Sequence, residues 1–224
     1  LVFSGTAGYR HESILEGAAA IKSLGERHQF GVTWTEDANV FLEEDLAKFD
    51  VVVFLNNSDN MLTDEQQAGF QKYIRSGKGF VGIHGAAASE YDWEWYGRLI
   101  GRFFKVHPKV QTAVIDVIDK NHPATFHLPD RWVWTDEWYE FEALLADDLT
   151  VVLTVDESTY NPEVKGKKPS TGMGDFHPIA WYHEFDGGRS FYTALGHSPL
   201  AYKDPLFLQH IYGAIFWAAT GRGL

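Results

Sequence analysis

Apolar positions in the N-terminal part of the chain alternate between two periods. Short runs at Leu1-Val2-Phe3-Ser4, Phe30 to Trp34, Val51-Val52-Val53-Phe54-Leu55 and Gly79-Phe80-Val81-Gly82-Ile83 read as strands, and the unbroken third run suits a central strand covered on both faces. Between them, Ile14, Ala18, Ile21 and Leu24 recur at helical spacing behind Ser13, with Glu16 three residues on as its capping partner. Leu42 to Phe49 predicts a short helix. Thr63 to Ile74 predicts a longer one, capped by Thr63 with Gln66 and turning Phe70, Tyr73 and Ile74 inward. Strand and helix in alternation predict an α/β fold with a doubly wound, mostly parallel sheet flanked by helices.

After about residue 105 the pattern becomes strand-rich. Val110 to Asp116, Val151 to Val155, Ile179 to Phe185 and Ser190 to Leu195 read as strands, the last two joined by the hairpin signal Asp186-Gly187-Gly188-Arg189. Asp204 to Thr220 closes the chain as a helix with Leu208, Ile211, Ile215 and Ala219 on one stripe. Residues 157 to 177, rich in Gly, Pro and Lys, read as a mobile loop beside a site. With 224 residues, 45% of them hydrophobic, the chain has enough apolar surface for a full core, and one domain is expected.

Charge narrows the function classes. A net charge of −12 argues against a nucleic-acid surface, which needs a basic stripe, and against an anionic-membrane anchor; dispersed acids such as Glu43, Glu44 and Asp45 read as solubilising. No apolar run approaches the ~20 residues of a membrane span. The chain has no Cys, which removes disulfides and cysteine chemistry and leaves the compartment open. Leu1 begins inside a strand without an initiator Met, so an upstream segment is expected to have been removed. The protein is then cytoplasmic, or exported if that segment was a signal peptide. The oligomeric state is open as well.

Candidate chemistry clusters where strands end. At His84 the strand turns sharply into Gly85-Ala86-Ala87-Ala88, a small-x-His-x-small pattern like a nucleophile elbow with imidazole in place of Cys or Ser. Imidazole there serves as general base or metal ligand and makes a poor acyl-transfer nucleophile. In a doubly wound sheet ligands gather at the carboxyl ends of strands, and that rim collects His11, Asn56-Asn57-Ser58, His84 and His197. His11, His84 and His197 are the metal-ligand candidates for zinc or a similar divalent ion, with His107 and His183 as secondary ones. His28, His122, His127, His177 and His210 read as surface, pre-proline or helix-face residues. Asp136 and Glu137 sit among aromatics, a setting that raises a carboxyl pKa and suits acid or base work, or else form a solvated loop beside core aromatics. Gly5-Thr6-Ala7-Gly8 matches neither a P-loop nor a dinucleotide fingerprint, so no nucleotide is expected. The 8 Trp, 10 Tyr and 16 Phe, interleaved with acids at Tyr91 to Tyr96 and Arg131 to Phe141, suit stacking on a sugar or serve as ordinary packing.

Seven segments taken in order resemble the ThuA-like (trehalose utilization) family over nearly the whole chain. They are Ser4 to His11, Phe80 to His84, Tyr91-Asp92-Trp93, Thr135-Asp136-Glu137-Trp138-Tyr139, His177 to Trp181, His183 to Arg189 and Leu195-Gly196-His197. The resemblance implies one ThuA-like domain over 1–224 with the class I glutamine amidotransferase-like, flavodoxin-like fold. It also implies that the glutaminase triad is incomplete: His84 stands where amidotransferases carry Cys, and His197 is followed by Ser198-Pro199-Leu200 rather than closely by Glu. Glutamine hydrolysis is expected to be absent. The family's association with disaccharide and glycoside catabolism, alongside dehydrogenases that make 3-keto sugars, implies a small-molecule carbohydrate substrate such as a 3-keto-glycoside. Its conversion would be a His-based, metal-assisted elimination or hydrolysis. His84, His197 and Glu137 are the expected catalytic residues, and Tyr9, Asn56, Trp93, Asp136 and Trp138 the expected substrate contacts. The rival reading is a non-catalytic sugar-binding or interaction module on the same fold.

Overall fold

Phe54 and Leu55 are successive residues of one strand and must point to opposite faces of the sheet. Phe54 stacks on Phe70 at 5.3 Å and on Tyr96 at 5.7 Å, whereas Leu55 lies against the backbone at Gly17. Helices therefore cover both faces, as the unbroken run Val51–Leu55 requires. In the computed structural model, which describes residues 1–42, 44–146, 148–166 and 168–223, the chain runs β1 (Val2–Phe3), α1 (Ile14–His28), β2 (Trp34–Thr35), β3 (Val51–Leu55), α2 (Asp64–Arg75), β4 (Gly79–Ile83), α3 (Glu94–Ile100), β5 (Phe104–Val106), β6 (Gln111–Val117), β7 (Arg131–Asp136), β8 (Glu140–Phe141), β9 (Thr150–Asp156), β10 (Pro178–Phe185), β11 (Gly188–Thr193) and α4 (Pro205–Thr220).

Nine strands form one sheet in the order β2-β1-β3-β4-β11-β10-β9-β6-β7, and β5 pairs with β8 separately. From β2 to β11 the neighbours are parallel, in register Val53↔Val81 and Phe191↔Val81 across β4. The carboxyl ends of β1, β3, β4 and β11 thus share one rim. From β11 outward the pairings are antiparallel, beginning with the predicted 186–189 hairpin, in which Asp186 and Gly187 both take positive φ. The result is the class I glutamine amidotransferase-like architecture, a large mostly parallel central sheet between helices.

Local differences have physical causes. Thr63 and Gln66 form the reciprocal cap expected of them. Ser13 sits at the start of α1 but makes no cap bond, because its hydroxyl donates to Gly196 O at 3.2 Å instead. The Phe30 to Trp34 strand shortens to β2, and the helix expected over Leu42 to Phe49 becomes 3-10 turns at Ala38–Leu42 and Glu44–Lys48, with Glu43 outside the described residues. Among the described residues no helix is long and apolar enough to cross a membrane.

Three histidines expected at surface, pre-proline or helix-face positions, His122, His177 and His210, are buried. His210 is fully buried and its Nδ1 donates to Ala124 O at 2.8 Å; His122 accepts from Ala124 N at 3.1 Å and stacks on Tyr182 at 4.5 Å. Burial pushes His122 down from 6.5 to about 4 and His210 to about 3, so both are neutral in the folded protein. The unfolded chain takes up protons on both near pH 6.5. Their contribution to stability is therefore complete above that pH and drains as the pH falls toward 4, at about 1.4 kcal/mol per unit of displacement. The urea midpoint should drop clearly between pH 7 and pH 4.5. His210→Asn, which keeps a donor for Ala124 O, should flatten that slope; an unchanged slope would show that the buried imidazole does not govern it.

Candidate metal centre

β4 delivers His84 to the rim and the backbone turns there: φ at His84 is 47°, the left-handed region, and a 3-10 turn follows over His84–Ala88. Such a turn tolerates little bulk. A Cβ on Gly85 would lie 2.8 Å from Asn57 O. β1 leads to His11 and β11 to His197, while Glu137 follows directly on β7. The three rings pack edge to face or tilted, with centroids 4.9 Å apart for His11 and His84, 5.5 Å for His11 and His197, and 5.4 Å for His84 and His197. One ligand atom from each of His11, His84, Glu137 and His197 falls within 4.8 Å of all the others.

The ring nitrogens decide what this cluster can hold. Ala194 O can only accept, so its 2.6 Å contact with His84 Nδ1 places the proton there and leaves the lone pair on Nε2. That Nε2 stands 3.5 Å from Glu137 Oε2, and His197 Nδ1 stands 3.1 Å from the same oxygen. Neither approach is aligned as a hydrogen bond. His11 Nδ1, His84 Nε2 and His197 Nδ1 are all buried without a hydrogen-bond partner among the described residues. Buried polar atoms rarely remain unpaired, and three orphaned imidazole nitrogens converging on a carboxylate are the donor set of zinc or a similar divalent ion. His84 adds the usual outer support of such a ligand, its other nitrogen bonded to a backbone carbonyl.

Electrostatics agree with this reading. Burial works to raise the Glu137 carboxyl, but the His197 and His84 contacts and the nearby His107 ring outweigh it and hold the group below the usual carboxylate range. His197 is raised by its Glu137 contact, against burial. Burial, then the neighbouring His84 and His197 rings, push His11 down from 6.5 to about 3. The site therefore offers a carboxylate and, at His11, a neutral imidazole near pH 7, the protonation states that ligation requires, whereas His197 has to give up the proton its Glu137 contact favours.

The chain matches the family described as trehalose utilisation, ThuA, over residues 1–218. It belongs to the ThuA family. That membership carries a carbohydrate-related role. No curated protein matches the chain. Among solved structures it is similar to a ThuA-like protein from Bacteroides uniformis, 23% identical with TM-score 0.78 over 97% of this chain and 90% of that one. It is likewise similar to a ThuA-like protein from Parabacteroides merdae, 19% identical with TM-score 0.77 over 99% and 90% of the two chains. A cytoplasmic protein from Salmonella typhimurium is more distant, 11% identical with TM-score 0.62 over 97% and 98%. At these identities the structures share the fold.

Other expected site residues of this ThuA chain are distributed differently. Tyr9 lies at the mouth, 66% exposed, with its ring edge-on to His11 at 4.8 Å. His107 flanks the cluster: its Nδ1 donates to Pro108 O at 2.7 Å and lies 3.6 Å from Glu137 Oε1, outside the four-donor group. His183 does not join. It pairs with Ser190, well down β11 from the rim, and its Nε2 donates to Leu99 O at 2.8 Å. Asn56 and Asp136 are buried and hydrogen-bonded within the protein, while Trp138 is buried with its Nε1 on Gln111 O. Trp93 packs on Trp95 and Tyr96 beside α3. These four serve packing and support rather than the open surface of the site. Two neighbours went unsingled in the sequence: Tyr139, whose ring lies 4.1 Å from His84, and Tyr202, bonded to Gly196 O. Tyr139 was visible in the Thr135 to Tyr139 motif; Tyr202 had no signal.

In metal-free protein, Glu137→Gln removes the charge that supports protonated His197. NMR titration should show the His197 pKa falling, and an unmoved titration would contradict the pairing.

Proposed function

We propose that this ThuA protein is a carbohydrate-catabolic enzyme that acts on a disaccharide or glycoside, specifically a 3-keto-glycoside, at a divalent metal ion held by His11, His84, His197 and Glu137. The observation that carries the proposal is that one ligand atom from each of His11, His84, Glu137 and His197 lies within 4.8 Å of the others, while each histidine keeps a buried ring nitrogen without a hydrogen-bond partner among the described residues. Family membership supports the carbohydrate. Such an ion supplies Lewis-acid polarisation of a sugar carbonyl.

A ketone at C3 acidifies the C2 proton. When a base removes that proton, the C2–H electron pair forms the C1–C2 double bond, the C1–O pair leaves with the aglycone, and water then adds. Glu137, held below the usual carboxylate range, suits ligation better than proton abstraction. His107 is the alternative acceptor: its Nδ1, 3.6 Å from Glu137 Oε1, commits its proton to Pro108 O, which leaves the lone pair on its other ring nitrogen for a proton. The exposed Tyr9 ring at the mouth gives a sugar face a surface to stack on. Glutaminase chemistry has no nucleophile here, because His84 occupies the elbow.

The purified protein should bind about one divalent ion and turn over a keto-glycoside faster than its unoxidised parent, with activity lost to chelator and restored by the ion. His84→Asn keeps a residue that tolerates the left-handed backbone and can still donate to Ala194 O, but removes Nε2. It should fold and lose at least ~10²-fold in turnover. Binding of the glycoside without turnover, and equally by His84→Asn, would transfer the protein to the binding-module reading. No ammonia should be released from glutamine; release at enzymic rates would refute the account of the elbow.

A further inference from the structure

The Gly196 peptide is held on both sides. Its N–H donates to Asp136 Oδ2 at 2.9 Å, and its C=O accepts from Ser13 Oγ at 3.2 Å, Tyr202 OH at 3.3 Å and Asn56 Nδ2 at 3.4 Å. φ at Gly196 is 112°, and a Cβ there would lie 2.8 Å from the Tyr202 hydroxyl, so only glycine presents this peptide to all four partners.

Three of these four attachments each neighbour a different member of the donor set. Ser13 is two residues past His11. Asn56 accepts from Gly85 N at 3.2 Å through Oδ1, and Gly85 follows His84. Asp136 precedes Glu137 and accepts its backbone N–H at 3.0 Å, and the same carboxylate accepts from His197 N at 3.2 Å and Trp134 Nε1 at 3.0 Å. Gly196 itself precedes His197. Four donors arriving from four separate parts of the chain are thus joined through one peptide unit and two fully engaged polar side chains.

We propose that Asp136 and Asn56 are positioning residues that set cation affinity through the Gly196 peptide without touching the ion. The inference rests on the metal-binding reading above. Once that peptide shifts, His197 moves relative to Glu137, His11 and His84 together, and a donor set loses affinity when its geometry loosens.

Two isosteric exchanges separate position from charge. Asp136→Asn removes a negative charge and sets an amide NH2 among four N–H donors. Asn56→Asp adds a negative charge and faces Gly196 O with a carboxylate, while keeping a residue that tolerates the left-handed backbone at this position, φ 54°. Calorimetric titration of the metal-free proteins with Zn²⁺ and with Co²⁺ should show affinity falling about 10- to 100-fold in both variants. A charge effect alone predicts tighter binding by Asn56→Asp. Ile115→Val, in the core of β6, should lower the melting temperature and leave affinity unchanged. If Asn56→Asp does not fold, Ser13→Ala, which removes one donor to Gly196 O, should still weaken binding. Wild-type affinity in the folded Asp136 and Asn56 variants, or tighter binding by Asn56→Asp, overturns the proposal while the metal reading stands. If the wild-type protein binds neither ion, the metal reading fails and this proposal with it.

Discussion

A buried imidazole nitrogen with no partner is costly, and this fold keeps one on each of three histidines gathered around one carboxylate. Each unpaired polar atom withdrawn from water costs roughly 1–3 kcal/mol, so the arrangement persists only because rigid elements impose it. The parallel half of the sheet does so by ending β1, β4 and β11 at a common rim. The left-handed turn at His84 and the Ala194 carbonyl fix the orientation of one ring. The anchored Gly196 peptide fixes the approach of another. Helix caps, hydrophobic faces and the antiparallel extension serve, in this respect, to hold that rim still.

How much of the site was legible depended on how each residue reaches it. His84 follows directly on β4, and His11 and His197 lie in the loops after β1 and β11, strands whose apolar runs are plain in the sequence, so parallel topology predicted their shared rim. Glu137 follows a strand that went unread, because Trp132, Val133 and Trp134 looked like an aromatic cluster. The structure shows period-two alternation there, with Trp132 buried and Val133 66% exposed. β7 also lies four strands from β11, a gap of about 19 Å in a flat sheet at ~4.8 Å per strand. Asp136 nevertheless meets Gly196 N at 2.9 Å, so twist and loop path close that gap, and no local pattern encodes such closure. For the same reason Asp136 and Asn56 looked like substrate contacts: polar residues at strand ends read alike whether they face outward or lock the frame. His183 failed for the simplest cause. Its strand alternation was legible, but its height along the strand was not.

Relative to the amidotransferase-like scaffold, the elbow has changed its chemistry. A nucleophile at a strand-to-helix turn needs an exposed, activated atom, whereas His84 is fully buried with its Nε2 3.5 Å from the Glu137 carboxylate. The same strained turn that would present a nucleophile here presents a buried imidazole nitrogen. Reuse of one backbone device for a different task fits a scaffold whose function resides in the side chains of its rim.

Anomalous diffraction from crystals of the wild-type protein grown with Zn²⁺, collected across the zinc edge, tests the central claim most directly. The account predicts one strong peak about 2.0–2.2 Å from a nitrogen of each of His11, His84 and His197 and from a Glu137 oxygen. Absence of a peak there, with Glu137 hydrogen-bonded to His197 in its place or with zinc bound elsewhere on the surface, would contradict it.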